Sequence, residues 1–296
     1  MLGIIIVNYK NEQKTIEYVK KELSKVTTPH KVIIVNNGAT EESDEVLKKG
    51  LSGCIVKNDF DKKYPDNNCY ILSNPLNSGF AQGNNWGALF AKQNFCPSHL
   101  LFSNNDVRFL SNDVVERLIE KLDSVPEVGI IGPKVIGLNG KLQSPEPFLS
   151  FWDRQIWMYL STPFYSKEKK IKRFKLDYSQ QAQEGVHYKV MGSFFVVKAK
   201  DFFTCGMMDP NTFLYAEETI LTERMKRIGK KVYYYPEVSI LHEHGATTKR
   251  HLQKRKQDNI AFQSECYYYR KYIGTSQFQI FIGKLFHVLL SLIKTR

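Results

Sequence analysis

The sequence predicts an α/β fold, a mixed but mostly parallel sheet with flanking helices, followed by a helical C-terminal tail. Three observations carry this. Four short apolar runs in the first half, residues 3–7, 32–35, 69–72 and 100–102, each break off into polar or turn residues. Residues 15–23 and 83–92 lie between such runs with helical spacing, and 113–122 continues the series. Strand and helix in alternation, with strands apolar on both faces, belong to a parallel sheet covered on two sides. The last observation is the apolar stretch 278–293, helical in pattern and flanked by cations.

Each element has its local reason. Residues 3–7 (Gly-Ile-Ile-Ile-Val) make the first strand, and Asn8-Tyr9 ends it. Asn36-Asn37-Gly38 ends the second strand, Asn74 to Gly79 follows the third, and Ser103 to Asp106 follows the fourth. Ligands of such sheets bind beyond the carboxyl ends of the strands, so these turns are the places to look for chemistry. The second half departs from the rhythm. Residues 150–185 are aromatic and then basic, with few strand signals. Strands are expected at 190–197, 231–235 and 239–241, and a helix at 219–228 stopped by Gly229, a glycine suited to the position after a helix end. Internal repeats and low-complexity linkers are lacking in the sequence.

With 296 residues, 42% hydrophobic and 13% aromatic, the chain can bury a sizeable core. Disordered, collagen-like and disulfide-stapled classes are excluded. The five cysteines are scattered without a Cys-x-x-Cys pair, which reads as reduced thiols in a cytoplasmic protein. The N-terminus, MLGIIIVNYKNEQK, has no basic region before its apolar run and reads as a strand, not a signal peptide. The formal charge is +12, and from Leu241 onward there are ten Lys/Arg against three acids. A second basic cluster spans Lys167 to Lys175. The sixteen residues 278–293 fall short of the roughly 20 that span a bilayer. They fit an interfacial helix or one packed on the domain. Next to a basic tail, an anionic membrane surface is the expected partner.

No Gly-x-Gly-x-x-Gly follows the first strand and no Walker lysine motif exists, which argues against dinucleotide oxidoreductases and P-loop NTPases. In the segment Asn74 to Gly87, Gly79 and Gly83 permit close backbone approach at a helix N-terminus, where free N–H groups favour an anion. Asn104-Asn105-Asp106 offers hard oxygen ligands suited to Mg2+ or Mn2+. His242 and His244 share a face if their strand continues. Glu217-Glu218 opens a helix after an aromatic segment. The pair can serve as dipole compensation or as a proton acceptor for an attacking hydroxyl.

Taken in order, IIIVNYKN, VIIVNNGAT, NPLNSGFAQGNNWG, LLFSNND, GSFFVVKAKDFFTCGMMDPNTFLYAEE and YYYPEVSILHEHG resemble the family 2 glycosyltransferases, especially the rhamnosyltransferase-like branch of bacterial surface-polysaccharide synthesis. The resemblance spans about residues 3–245. It implies a GT-A fold, a nucleotide diphosphate-sugar donor (UDP- or dTDP-linked), Mn2+ or Mg2+, and inversion at the anomeric carbon. Residues 1–248 would be the GT-A domain, with 1–110 as the nucleotide-sugar half and 111–248 as the acceptor half carrying a 150–185 insertion. Residues 249–296 would be a basic, amphipathic helical tail. Carried over residue by residue, Val7 and Tyr9 would line the donor base, with Asn36 where the family has Asp. Asn77, Gly79 and Asn85 match the donor loop, and Asn104 belongs to the donor site. Asp106 and His242 match the metal site. Glu218 falls on the catalytic base beside Glu217, and Ile220 replaces an acid. The implied acceptor is a polyprenyl diphosphate-linked oligosaccharide, with the hexose or rhamnose added in capsule, O-antigen or exopolysaccharide synthesis at the inner membrane face.

Asn36, Glu218 and Ile220 leave open a non-catalytic or altered-specificity relative that binds sugar nucleotides. A nucleotidyltransferase would want a glycine-rich, basic loop where Asn8-Tyr9-Lys10-Asn11 stands. Nucleic acid is an unsupported partner, because only the overall charge suggests it and none of its recognition motifs is present.

Overall fold

The computed structural model describes residues 1–56, 64–160, 164–243 and 254–293. Its strands are β1 (Leu2–Asn8), β2 (His30–Asn37), β3 (Cys54–Val56), β4 (Cys69–Asn74), β5 (His99–Ser103), β6 (Val107–Phe109), β7 (Val128–Gly137), β8 (Gly185–His187), β9 (Phe194–Lys198) and β10 (Lys231–His242). They form one ten-stranded sheet in the order β3-β4-β2-β1-β5-β9-β7-β10-β6, with β8 attached to β10. The described helices are α1 (Glu12–Lys21), α2 (Glu41–Leu51), α3 (Phe80–Phe95), α4 (Val114–Ser124), α5 (Met158–Leu160), α6 (Lys167–Phe174), α7 (Tyr178–Gln181), α8 (Ala199–Thr204), α9 (Glu217–Arg227), α10 (Lys254–Tyr268) and α11 (Gln277–Ile293). A π-helical turn, Asp153–Trp157, leads into α5, and another, Tyr269–Ile273, continues α10.

The sheet has two characters. From β3 to β5 every neighbouring pair is parallel. Beyond β5, β9 runs antiparallel to both β5 and β7, while β10 is parallel to β7 and antiparallel to β6 and β8. In β1, Ile4 and Ile6 bury into one face and Ile5 into the other, each side joining its own core cluster. That two-sided burial is what the continuous apolar run encodes.

The expected strands at 3–7, 32–35, 69–72 and 100–102 are the cores of β1, β2, β4 and β5, and the expected helices are α1, α3, α4 and α9. Gly229 has φ of +73° just past α9. Two expectations change in detail. The 190–197 strand begins only at Phe194, which frees residues 190–193 for the site. The strands at 231–235 and 239–241 are one strand, β10, with a register break between Tyr235 and Ser239. Pro236 in that gap cannot donate to a ladder, and a bulge absorbs it.

The C-terminal helices pack on the second half of the sheet domain. Phe262, Cys266, Tyr268, Tyr269 and Ile280 form a third core cluster with Phe151 and Ile220. A Cβ on Gly283 would lie 2.5 Å from Phe151 Cζ, and the His287 ring stacks on Phe262 at 4.1 Å, so these positions face inward. No helix among the described residues is long and apolar enough to cross a membrane.

Candidate functional site

Amide side chains fill the carboxyl ends of the parallel strands. Asn105 Nδ2 donates to Thr15 Oγ1 (2.7 Å), which donates to Asn8 Oδ1 (2.7 Å). Asn8 Nδ2 donates to Asn36 Oδ1 (2.9 Å), and Asn36 Nδ2 donates to Asp44 Oδ1 (2.8 Å). Ser73 Oγ closes the row on Asp44 Oδ2 (2.5 Å). The ladder accounts for asparagine at position 36. Asp44 is the acceptor beside it, so a carboxylate at 36 would face another at hydrogen-bond distance. Asn36 is buried, and its Oδ1 keeps a second lone pair beyond the one taken by Asn8.

Asn37 organises the loop before α3. Its Oδ1 accepts from Asn74 Nδ2 (2.8 Å) and Ser78 Oγ (3.1 Å), and its Nδ2 donates to the Gly79 carbonyl (3.0 Å) and Asn77 Oδ1 (3.3 Å). Gly79 has φ of +85°, and a Cβ there would sit 2.3 Å from the Phe213 carbonyl oxygen, so only glycine fits. The Phe80 N–H donates to that carbonyl (2.9 Å), so the first N–H of the helix N-terminus expected to hold an anion is taken by Phe213. Asn85 is spent inside the protein too, pairing with both backbone groups of Met208 (2.8 and 3.0 Å). Val7 packs against Gly83 and Tyr9 against Gly38, both half-buried, and the exposed Asn77 borders the same corner.

Asp106, in the turn between β5 and β6, and His242, at the end of β10, meet from segments far apart in sequence. His242 Nε2 lies 3.3 Å from Asp106 Oδ1, and Nδ1 is 2.8 Å from Gln143 Oε1. Gln143 orients the ring through Nδ1, and Nε2 faces the carboxylate. Asp106 Oδ1 is buried and accepts no hydrogen bond. Burial pushes the Asp106 carboxyl up, but the His242 ring outweighs it and holds the group below the usual carboxylate range. Two such atoms about 3 Å apart suit adjacent ligands of an octahedral cation. Among the described residues no group of three or more His, Cys, Asp or Glu could hold a metal. The neighbouring Glu243 is clamped by Lys14 (2.8 Å) and Arg108 (2.6 Å), and its N–H donates to the Asp106 carbonyl (2.9 Å). His244 and Gly245 lie outside the described residues.

One backbone hydrogen bond joins this centre to the paired acids. Asn104 N–H donates to the Ser193 carbonyl (2.8 Å), and the preceding residue, Gly192, lies against Glu218: a Cβ there would be 3.3 Å from Glu218 Cδ. The helix carrying the acids starts abruptly, with Tyr215 at φ +74° and Ala216 at φ +68°, left-handed conformations that cost non-glycine residues of order 1–3 kcal/mol. Glu217 is 3% exposed and its Oε1 has no hydrogen-bond partner. Burial, then the charge of Glu218, pushes its carboxyl up to about 8, so Glu217 is mainly protonated at neutral pH. Glu218 is half-buried and lies 3.5 Å from Lys189 Nζ. The two neighbours thus differ in solvation, which is how adjacent carboxyls acquire different tasks.

Sequence reasoning missed Asp209. Its fully buried carboxylate accepts from Tyr272 Oη (2.5 Å), Tyr267 Oη (2.8 Å) and Asn211 Nδ2 (2.6 Å) and pairs with Lys271 (3.1 Å) and Arg224 (3.2 Å). Burial raises its pKa, but these donors hold the group well below the usual carboxylate range. The hub ties the loop before α9 to the C-terminal region. Ile220, one turn into α9, is fully buried beneath α10 and α11, which gives the missing acid a physical reason: that place is core.

The sheet, the helices on both faces and the strand-end constellation define a GT-A glycosyltransferase fold. In solved structures, mannosyltransferase PcManGT from Pyrobaculum calidifontis, in complex with GDP-Man and Mn2+, aligns with a TM-score of 0.59 at 11% identity over 97% of this chain and 69% of that one. TarS from S. aureus in complex with UDP-GlcNAc aligns with a TM-score of 0.51 at 12% identity, covering 91% and 73%. A Glycosyl transferase family 2 model matches residues 4–185, and the chain belongs to that family. The 4,4'-diaponeurosporenoate glycosyltransferase of Staphylococcus aureus (strain USA300) is 27% identical over 128 residues, 43% of this chain. That match spans 30% of the relative's length.

Proposed function

We propose that the protein is an inverting glycosyltransferase that moves a hexose or rhamnose from a nucleotide diphosphate-sugar to an acceptor hydroxyl. The observation that carries this is the Asn104–Ser193 hydrogen bond, which links the strand end leading to Asp106 with the segment that packs on Glu218. Val7, Tyr9 and Asn77 border the donor base, and Asn36 receives it through its remaining lone pair. Asn104 sits at the sugar. Gly79 and Asn85 act by shaping the loop and fixing α3 to Met208. Asp106 Oδ1 and His242 Nε2 would hold Mn2+ or Mg2+, which supplies charge neutralisation to a diphosphate leaving group. Glu218 takes the proton from the acceptor hydroxyl as it attacks the anomeric carbon, while Glu217, protonated, donates a hydrogen bond within the site. The solved neighbours' complexes with GDP-Man, Mn2+ and UDP-GlcNAc are in keeping with this donor class.

The deciding experiment is a donor panel of UDP-glucose, UDP-galactose, UDP-GlcNAc, dTDP-rhamnose and GDP-mannose, followed by nucleoside diphosphate release with Mn2+ and with EDTA. One donor turned over only with the cation is the expected result. Tight donor binding with no turnover of any donor would instead establish the non-catalytic reading. Asp106→Ala should remove the Mn2+-dependent part of donor affinity in calorimetry.

For the acceptor we propose a polyprenyl diphosphate-linked oligosaccharide at the inner membrane face, in capsule, O-antigen or exopolysaccharide synthesis. Phe278, Phe281, Leu285, Val288 and Leu289 are exposed and lie along one face of α11, opposite the side packed on Phe151. Lys284 lies at the edge of that stripe. An exposed apolar face with flanking cations suits an anionic lipid surface. Flotation with anionic but not neutral vesicles, lost in Phe281→Ser/Leu285→Ser, is the expected result.

A further inference from the structure

Behind Glu218 stands a buried cation that no motif announces. Lys189 Nζ lies 3.1 Å from Glu146 Oε1 and 3.5 Å from Glu218 Oε1, with only 14% of its side chain exposed. Burial works against its charge, yet the two carboxylates more than restore it and hold its pKa above the ordinary lysine value. The Lys189–Glu146 half is fixed by the backbone, since Glu146 N–H donates to the Lys189 carbonyl (3.0 Å) and Lys189 N–H to the Glu146 carbonyl (3.4 Å). Glu218, in the first turn of α9, is the third member of the trio. On its other side is Gly192, where the missing Cβ leaves the carboxylate its room: a methyl group would sit 3.3 Å from Cδ and 3.4 Å from Oε2.

Resting on the reading of Glu218 as the base, we propose that Lys189 and Gly192 are its positioning residues. Lys189 draws Oε1 back and Gly192 admits the folded side chain. The carboxylate of a residue one methylene longer than aspartate is thereby set where Oε2 can meet the acceptor hydroxyl. Placement errors of an ångström in such a group are worth up to about 100-fold in rate.

The test is a double-mutant cycle on kcat, using nucleoside diphosphate release from the fastest donor of the panel with Mn2+ present. Lys189→Met should lower kcat roughly 10- to 100-fold while donor KM moves less than about threefold, and Lys189→Arg should recover part of the loss. In the Glu218→Gln background the same Lys189→Met change should alter kcat by less than about twofold, because the charge it positions is gone. An equal factor in both backgrounds, or no loss in the wild-type background, would overturn the proposal. Wild-type turnover by Glu218→Gln alone would instead remove the base assignment, so the two failures are distinguishable. Should Lys189→Met not fold, Gly192→Ala carries the test. It crowds the carboxylate and should cost kcat with glutamate at 218 but not with the shorter Glu218→Asp, and an equal cost in both overturns the proposal. The pairing is also read without substrate, as non-additive Tm shifts among the wild type, Lys189→Met, Glu218→Gln and the double variant. Additive shifts contradict it.

Discussion

The two halves of the sheet solve the problem of buried polarity in opposite ways. The parallel half ends in a row of neutral amides and hydroxyls, Asn105, Thr15, Asn8 and Asn36, that runs to the Asp44 carboxylate, with Asn8 also donating to Glu12 (3.2 Å). The mixed half is built from charges: Glu218 with Lys189 and Glu146, Glu217 beside them, and Asp209 among Arg224, Lys271 and two tyrosines. Neutral networks cost little to bury once every partner is present, and they hold a shape over a wide pH range. Paired charges are costly to desolvate but set protonation states. The half proposed to cradle a ligand uses the first device, and the half proposed to move a proton uses the second.

That contrast breaks first at Glu218. Glu218→Gln keeps the shape and removes the charge, and should lower kcat by roughly 10²- to 10⁴-fold with donor affinity little changed. A wild-type rate in steady-state assays would place proton transfer elsewhere. Next comes Asp209. Asp209→Ala leaves Arg224 and Lys271 facing an emptied buried site, and should cost about 3–5 kcal/mol in urea unfolding. A loss under 1 kcal/mol would mean that the hub holds nothing together.

Glu217 sharpens the comparison through pH. Its carboxyl is raised to about 8 in the fold, above its ordinary unfolded value, so the folded state binds the extra proton. The stability this contributes is complete below about pH 4.5 and drains away as pH rises through about 8, by at most about 1.4 kcal/mol per pH unit. Glu217→Gln should therefore gain on the wild type as pH is raised from 5 to 8 in denaturant titrations. A pH-independent difference would contradict burial as the cause. The smallest effect belongs to the neutral half. Asn36→Asp sets a carboxylate against Asp44 where a donated hydrogen bond was, and should destabilise by about 1–3 kcal/mol at pH 7, with the loss shrinking in acid.

The halves also differ in how openly the sequence spells them. β1, β2, β4 and β5 are uninterrupted apolar runs, and each was legible to within a residue or two. β7 was not, because Gly129, Gly132 and Pro133 interrupt its apolar residues. α2 hides in a polar segment whose start is fixed by a capping box of Thr40 and Ser43. In the site, Asp106, His242 and Glu218 could be picked out because their residue types carry chemistry. Resemblance alone supplied their roles. Lys189, Glu146, Gly192 and Asp209 gave no signal, since each matters only through partners from distant segments. Asn36 and Ile220 read as departures in sequence, and each has a local structural cause, Asp44 in one case and the packing of α10 and α11 in the other.

The Asp209 hub has a consequence for how the molecule comes into being. A chain leaves the ribosome from its N-terminus, and its early segments fold first. The parallel half has every strand it needs once β5 has emerged, whereas the loop before α9 is not latched until Tyr267, Lys271 and Tyr272 arrive. A nascent chain therefore completes its parallel half well before the loop ahead of α9 is held in place. Polypeptide halted before residue 267 is expected to be folded in part and chemically silent.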